Sequence, residues 1–167
     1  MANFDQPATL VADGLAVIQM ISPDNKSINI QFSELEVALA TTVDSKVQAV
    51  GVQSKSASLY IPLTDNETET RLRLNIRGSL VLKSQNVQAL VLVQAGTIST
   101  LLDPSTLIDP KVDNAGFGKE LETTIPPNCD CCLTLVALIQ RNTRDDDAVS
   151  TLGLDGVDIE IVELVQI

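Results

Sequence analysis

Apolar and polar residues alternate along most of this chain, the period-two signature of strands that turn one face to a core. Leu15-Ala16-Val17-Ile18-Gln19-Met20-Ile21 predicts a strand that stops at Ser22-Pro23-Asp24-Asn25, where Pro fixes φ and Asp and Asn favour a turn. Ile28, Ile30 and Phe32 then alternate with Asn29 and Gln31, so the turn is expected to close a hairpin. Ser33-Glu34-Leu35-Glu36 has the form of a helix capping box, yet Leu35, Val37 and Leu39 keep alternating and Thr41-Thr42-Val43 favours extended backbone. A strand is the expectation there.

Two further strands are predicted near Val47–Gln53 and Ala57–Leu63, the second ending around Pro62, which has no backbone donor. The clearest element runs from Arg71 to Lys83. Leu72, Leu74, Ile76, Leu80 and Leu82 share one face with Gly78, while Arg71, Arg73, Asn75, Arg77, Ser79 and Lys83 share the other. A glycine inside so long a strand predicts a bend or bulge. Val87–Gln94 is expected to return as the second arm of a hairpin. From Ser99 to Gly118 the alternation lapses, and Asp103-Pro104 reads as the cap and first position of a short helical turn. Loops of that length in compact domains are commonly functional, so residues 99–118 are the expected contact loop. The alternation resumes in Lys119–Ile125, Cys131–Gln140 and a last strand around Val157, Ile159 and Ile161, with a change of phase near Val162 that predicts a bulge.

This spacing predicts an all-β fold: a two-sheet antiparallel sandwich of jelly-roll or Greek-key type, with roughly eight to ten strands and at most one or two short helical turns. No fixed repeat or linker divides the 167 residues, so a single domain spanning 1–167 is expected, with residues 1–8 as an extended N-terminal arm. The core must be aliphatic, because Phe4, Phe32, Tyr60 and Phe117 are the only aromatic residues.

The formal charge of −11 changes the functional picture by exclusion. Nucleic acid demands a basic surface, and an anionic membrane would repel the chain, so neither is an expected partner. Residues Met1 to Gln6 lack a basic segment followed by an apolar run, which predicts synthesis in the cytoplasm without a signal peptide. Cys129, Cys131 and Cys132 form an odd, tight cluster in a chain without histidine, unlike a disulfide framework or the paired ligands of a zinc site. Reduced thiols at the start of a buried strand are the simpler reading; an intersubunit disulfide or a shared metal is the alternative.

Without histidine the usual base for activating a serine or cysteine is missing, and no nucleophile elbow or phosphate-cradling loop occurs. No catalytic residue and no cofactor are expected. A carboxylate-based enzyme would need only two of the 22 acidic residues, but the few scattered aromatics make a poor sugar platform. Asp145, Asp146 and Asp147 are weak calcium candidates, hard oxygen ligands whose spacing matches no EF-hand loop.

The basic face of the Arg71–Lys83 strand is the most informative polar feature. Arg71, Arg73, Arg77 and Lys83 have acidic counterparts on the outward faces of other strands: Glu34 and Glu36, Glu120 and Glu122, Asp158 and Glu160. Cross-strand pairing within one sheet explains this with no partner; charge matching between copies would instead set register and partner choice. On the second reading these four cations, with Asp103, Asp109, Asn114 and Phe117 of the loop, form a partner or subunit interface. The expected function is a non-enzymatic structural part, a virion component such as a capsid decoration (cement) protein on the outer shell. It would associate with itself, a trimer being favoured, and with a larger protein assembly. The alternative is a sandwich module that recognises a glycan or protein through its loops.

Overall fold

The computed structural model describes residues 1–11, 17–39, 42–43, 46–47, 51–82, 87–108, 116–141 and 149–162. The strands are β1 (Thr9–Leu10), β2 (Val17–Ile21), β3 (Ser27–Phe32), β4 (Glu36–Leu39), β5 (Thr42–Val43), β6 (Lys46–Val47), β7 (Gly51–Ile61), β8 (Thr70–Val81), β9 (Val87–Ala95), β10 (Ile98–Leu102), β11 (Gly116–Ile125), β12 (Cys131–Arg141) and β13 (Ser150–Val162). One 3-10 turn occupies Pro104–Thr106.

Two antiparallel sheets form a sandwich. One has the order β1-β7-β12-β9-β10; the other runs β11-β8-β13-β3-β2, with β4 also on β13. A separate two-stranded ribbon joins β5 to β6. β3 and β4 pair with successive halves of β13, so they act as one strand interrupted at 33–35. Counted that way, four pairs are nested: β9 with β10, β8 with β11, β7 with β12, and β3–β4 with β13. One long antiparallel ribbon has therefore been wrapped across the two sheets, which is the topology of a jelly roll. β1 and β2 extend its edges.

The core follows from the alternation. Leu72, Leu74 and Ile76 of β8 and Val157 and Ile159 of β13 are fully buried, as are Leu133, Leu135 and Ile139 of β12 and Val91 and Val93 of β9. Residues 1–8 lie on the body rather than apart from it: Phe4 is fully buried, and Asn3 exchanges two 3.0 Å backbone hydrogen bonds with Thr64.

Several local expectations change. β7 is one strand where two were expected, because Ser54-Lys55-Ser56 contains no Gly, Pro, Asn or Asp to break it and β12 pairs with it from Gly51 to Ile61. β8 and β9 do not form a hairpin; β8 pairs with β11 and β13, β9 with β10 and β12, and the connection crosses between sheets. β9 instead closes a hairpin with β10, turning at Gly96 (φ +52°) and Thr97, the positive φ that a two-residue loop asks of its first position. The contact loop expected over 99–118 is shortened at both ends, since 99–102 lie in β10 and 116–118 in β11. The irregularity expected at Gly78 is there, but the extra residue is on the partner strand: the register shifts between Leu154, opposite Gly78, and Gly156, opposite Arg77, beside the interruption in β3–β4. Leu82, expected on the core face, lies past the end of β8 and is exposed. The change of phase near Val162 falls largely on 163–167, outside the described residues.

Candidate functional site on the two outer faces

The outer face of the β11-β8-β13-β3 sheet carries charges, and Arg73 and Arg77 are paired within it. The register sets Arg73 of β8 beside Glu122 of β11 and Glu160 of β13. Its guanidinium reaches three carboxylates: Nε lies 3.5 Å from Glu120 Oε1, Nη2 3.6 Å from Glu122 Oε1, and Nη1 3.4 Å from Glu160 Oε2. Arg77 Nε lies 3.2 Å from Asp158 Oδ2, and Asn29 donates to the same carboxylate from the far side. The result is an Arg77–Asp158–Asn29 ladder over three strands. Beside it, Asp24, Lys26, Arg73, Glu160, Ile161 and Val162 line a polar depression of about 340 Å³. Cross-strand pairing within one sheet thus accounts for Arg73 and Arg77.

The other expected site residues scatter. Arg71 is exposed on the same strand and makes no ion pair among the described residues. Asp103 caps the 3-10 turn, accepting from the Ser105 backbone N–H at 3.0 Å. Phe117 is not a contact residue: it points inward, is buried, and packs where Gly78 leaves room. Lys83, Asp109, Asn114 and the calcium candidates Asp145, Asp146 and Asp147 lie outside the described residues. Arg141 takes the inward position at the end of β12 and is buried there.

The cysteines split by strand parity. Cys131 faces the core, where burial, then the neighbouring Cys132 and Asp130, push its thiol up to about 12. Cys129 and Cys132 are exposed and free. Next to them the Tyr60 hydroxyl donates to Asp130, whose other oxygen accepts the Leu63 N–H at 2.8 Å. Donation to that carboxylate raises the Tyr60 pKa above its ordinary value.

The opposite outer face, on the β1-β7-β12-β9-β10 sheet, is the feature that the sequence reading missed. Its outward positions are Thr9 on β1; Val52, Ser54, Ser56, Ser58 and Tyr60 on β7; Cys132, Thr134, Val136, Leu138 and Gln140 on β12; Gln88, Leu90, Leu92 and Gln94 on β9; and Ser99 and Leu101 on β10. None of them is charged, in a chain that is 20% charged residues. Its centre is aliphatic: Val136, Leu138, Leu90 and Leu92 are half-buried, and Leu101 stands 63% exposed at the rim.

The polar side chains around that centre bond sideways to each other. Ser58 pairs with Thr134 at 3.1 Å, Gln140 donates to Gln88 at 2.9 Å, and Gln94 donates to Ser99 at 3.3 Å. Covering such groups costs little, because they keep partners when water leaves. A signal for this face existed in Leu90-Val91-Leu92-Val93 and Leu133–Ile139, near-continuous apolar runs typical of strands covered on both sides.

No family model matches this chain, and no curated protein matches it. Among solved structures it is similar to a bacterial lipoprotein from Bacteroides thetaiotaomicron, at 10% identity over 94% of this chain and 93% of that one, with a TM-score of 0.34. A likeness that loose bears on neither mechanism nor partner.

Proposed function

We propose that the protein is a non-enzymatic structural part of a larger assembly, of the kind that decorates a capsid shell, and that the charge-free outer face of its β1-β7-β12-β9-β10 sheet is a contact surface within that assembly. That face is the observation that carries the reading. A solvated strand normally alternates apolar with charged or strongly polar positions, and the Arg73 face of the same molecule does so. An uncharged face five strands wide with an aliphatic centre is instead what an interface core looks like, depleted in charge and ringed by uncharged polar groups.

Two further features support it. The cations offered for partner matching, Arg73 and Arg77, are already engaged by carboxylates of their own sheet, so the charged face is left as the solvated side. The sequence supplies no imidazole anywhere, which removes the commonest proton-transfer group of enzymes. The test is native mass and electron microscopy of the protein with whatever it co-purifies from its source. Association with a regular particle, lost in a Leu92→Glu variant that keeps its circular dichroism, is the expected result. A protein found free in its source, or one whose Leu92→Glu variant stays on the particle, would overturn the reading.

A further inference from the structure

Resting on the reading of the charge-free face as an interface, we infer that its occupant is a second copy of this chain, packed sheet on sheet about a two-fold axis parallel to the strands.

The argument starts from charge. Each copy carries −11, so two copies repel wherever their acidic surfaces meet. The charge-free face is the surface on which they can approach without opposing like charges. A basic partner would find nothing there to pair with, and would be drawn to the carboxylates on other surfaces instead.

The relief of the face then fits itself. The register places Ser56 on β7, Val136 on β12, Leu92 on β9 and Leu101 on β10 side by side in one row. Rotation about an axis running between β12 and β9 lays this row over its own reverse. Val136 of one copy then meets Leu92 of the other, and the protruding Leu101 meets Ser56. Ser56 belongs to a column of small residues on β7, Ser54, Ser56 and Ser58, whose short side chains stand beside the larger aliphatic ones of β12 and β9. The adjacent row, Ser54, Leu138 and Leu90, repeats the pattern of a small residue followed by two aliphatic ones. A large residue therefore faces a small one at the rim, and aliphatic faces aliphatic along the axis, as in aligned packing of two sheets about 10 Å apart.

The size is adequate. With strands about 4.8 Å apart and about 3.4 Å per residue, β7, β12, β9 and β10 present roughly 500 Å² in projection, before side-chain relief is added. That exceeds the roughly 400 Å² per partner of incidental contacts and approaches the ~800 Å² of a standard interface. The contact is isologous, so it yields even-numbered assemblies; the trimer favoured from sequence would require another surface.

The test is sedimentation of purified wild-type protein and of two single variants, Leu92→Lys and Val136→Glu, with circular dichroism as the check on folding. Wild type should be dimeric. Each variant homodimer buries two uncompensated charges, one from each copy, which should raise the dimer dissociation constant by ~100-fold or more. Mixing the two variants should restore a dimer, because Lys at 92 of one copy faces Glu at 136 of the other while the second Val136–Leu92 contact stays intact. A monomeric wild type, dimeric single variants, or folded variants that remain monomers on mixing would each overturn the inference. A monomeric wild type that still binds a particle through this face would sink the pairing and leave the assembly reading standing. Dimers that restore on mixing but associate with nothing larger would do the reverse.

Discussion

Gly78 of β8 and Phe117 of β11 are register partners, and the phenylalanine ring fills the space that a side chain at 78 would need. A Cβ on residue 78 would stand 2.6 Å from Cζ of the ring and 2.3 Å from the backbone oxygen of Gly153. Glycine in a strand interior exposes backbone and packs nothing, and here the aromatic group of the neighbouring strand covers the gap. Gly78→Ala should therefore destabilise the fold by about 1–3 kcal/mol in urea unfolding, the usual result of overpacking. Adding Phe117→Leu should recover only part of the loss, since the Gly153 carbonyl cannot move aside as a side chain can. Full recovery would show that the ring alone made the conflict.

Arg73 sits among Glu120, Glu122 and Glu160, so its removal leaves three carboxylates facing one another. Arg73→Gln should lower stability by about 1 kcal/mol, more than an isolated exposed pair contributes, because repulsion is unmasked as well as attraction lost. Half-exposed charges are screened by salt, so the deficit should shrink as ionic strength rises. A deficit indifferent to salt would point to lost packing of the arginine stem.

Tyr60 is the only tyrosine, and the chain has no tryptophan, so its ionisation can be followed in the near ultraviolet without interference. The hydrogen bond to Asp130 favours the protonated phenol, and the native midpoint should lie above 10.0. Asp130→Ala should bring it down towards that ordinary value. An unchanged midpoint would remove Asp130 as the cause.

Cys131 gives a pH dependence with a definite sign. Its thiol keeps its proton in the fold up to about 12, whereas in the unfolded chain it ionises near 9.0. Above the lower value the unfolded chain holds fewer protons, so this contribution to stability is complete below pH 9.0 and falls as pH rises towards 12. Cys131→Ala should flatten the alkaline decline in melting temperature. In the native protein at mildly alkaline pH an alkylating reagent should modify Cys129 and Cys132 and spare Cys131, since the thiolate is the reactive form. Equal labelling of all three would contradict the burial of Cys131.

The strands of this molecule were legible because one buried face imposes period two, as in Leu72, Leu74 and Ile76 against Arg71, Arg73 and Asn75. The antiparallel sandwich followed from their number and spacing. Pairing was legible only where a turn was local: Ser22–Asn25 closes the β2–β3 hairpin as expected, while the connection from β8 to β9 looks equally short and passes to the other sheet. Alternation says which side chains share a face, but not which strand lies beside which.

The same limit hid the outer faces. Acidic and basic residues far apart in the chain suggested pairing, yet the cluster at Arg73 depends on β11 and β13 flanking β8, which no local pattern encodes. The charge-free face was obscured for a different reason. An apolar residue at an outward position strengthens a strand reading without revealing that it faces outward. Only the register of β7, β12, β9 and β10 shows that Val136, Leu92 and Leu101 lie together.

The nesting of the strands has a consequence for how the molecule is made. β12 and β13 come last among the described strands, yet each lies in the interior of its sheet, β12 between β7 and β9, β13 between β8 and the β3–β4 strand. Until the ribosome has released them, β7 and β9 have no common neighbour, and neither do β8 and β3. The nascent chain must hold open, aliphatic sheet edges until β12 and β13 have emerged, then close both gaps by contacts remote in sequence, which makes for slow folding.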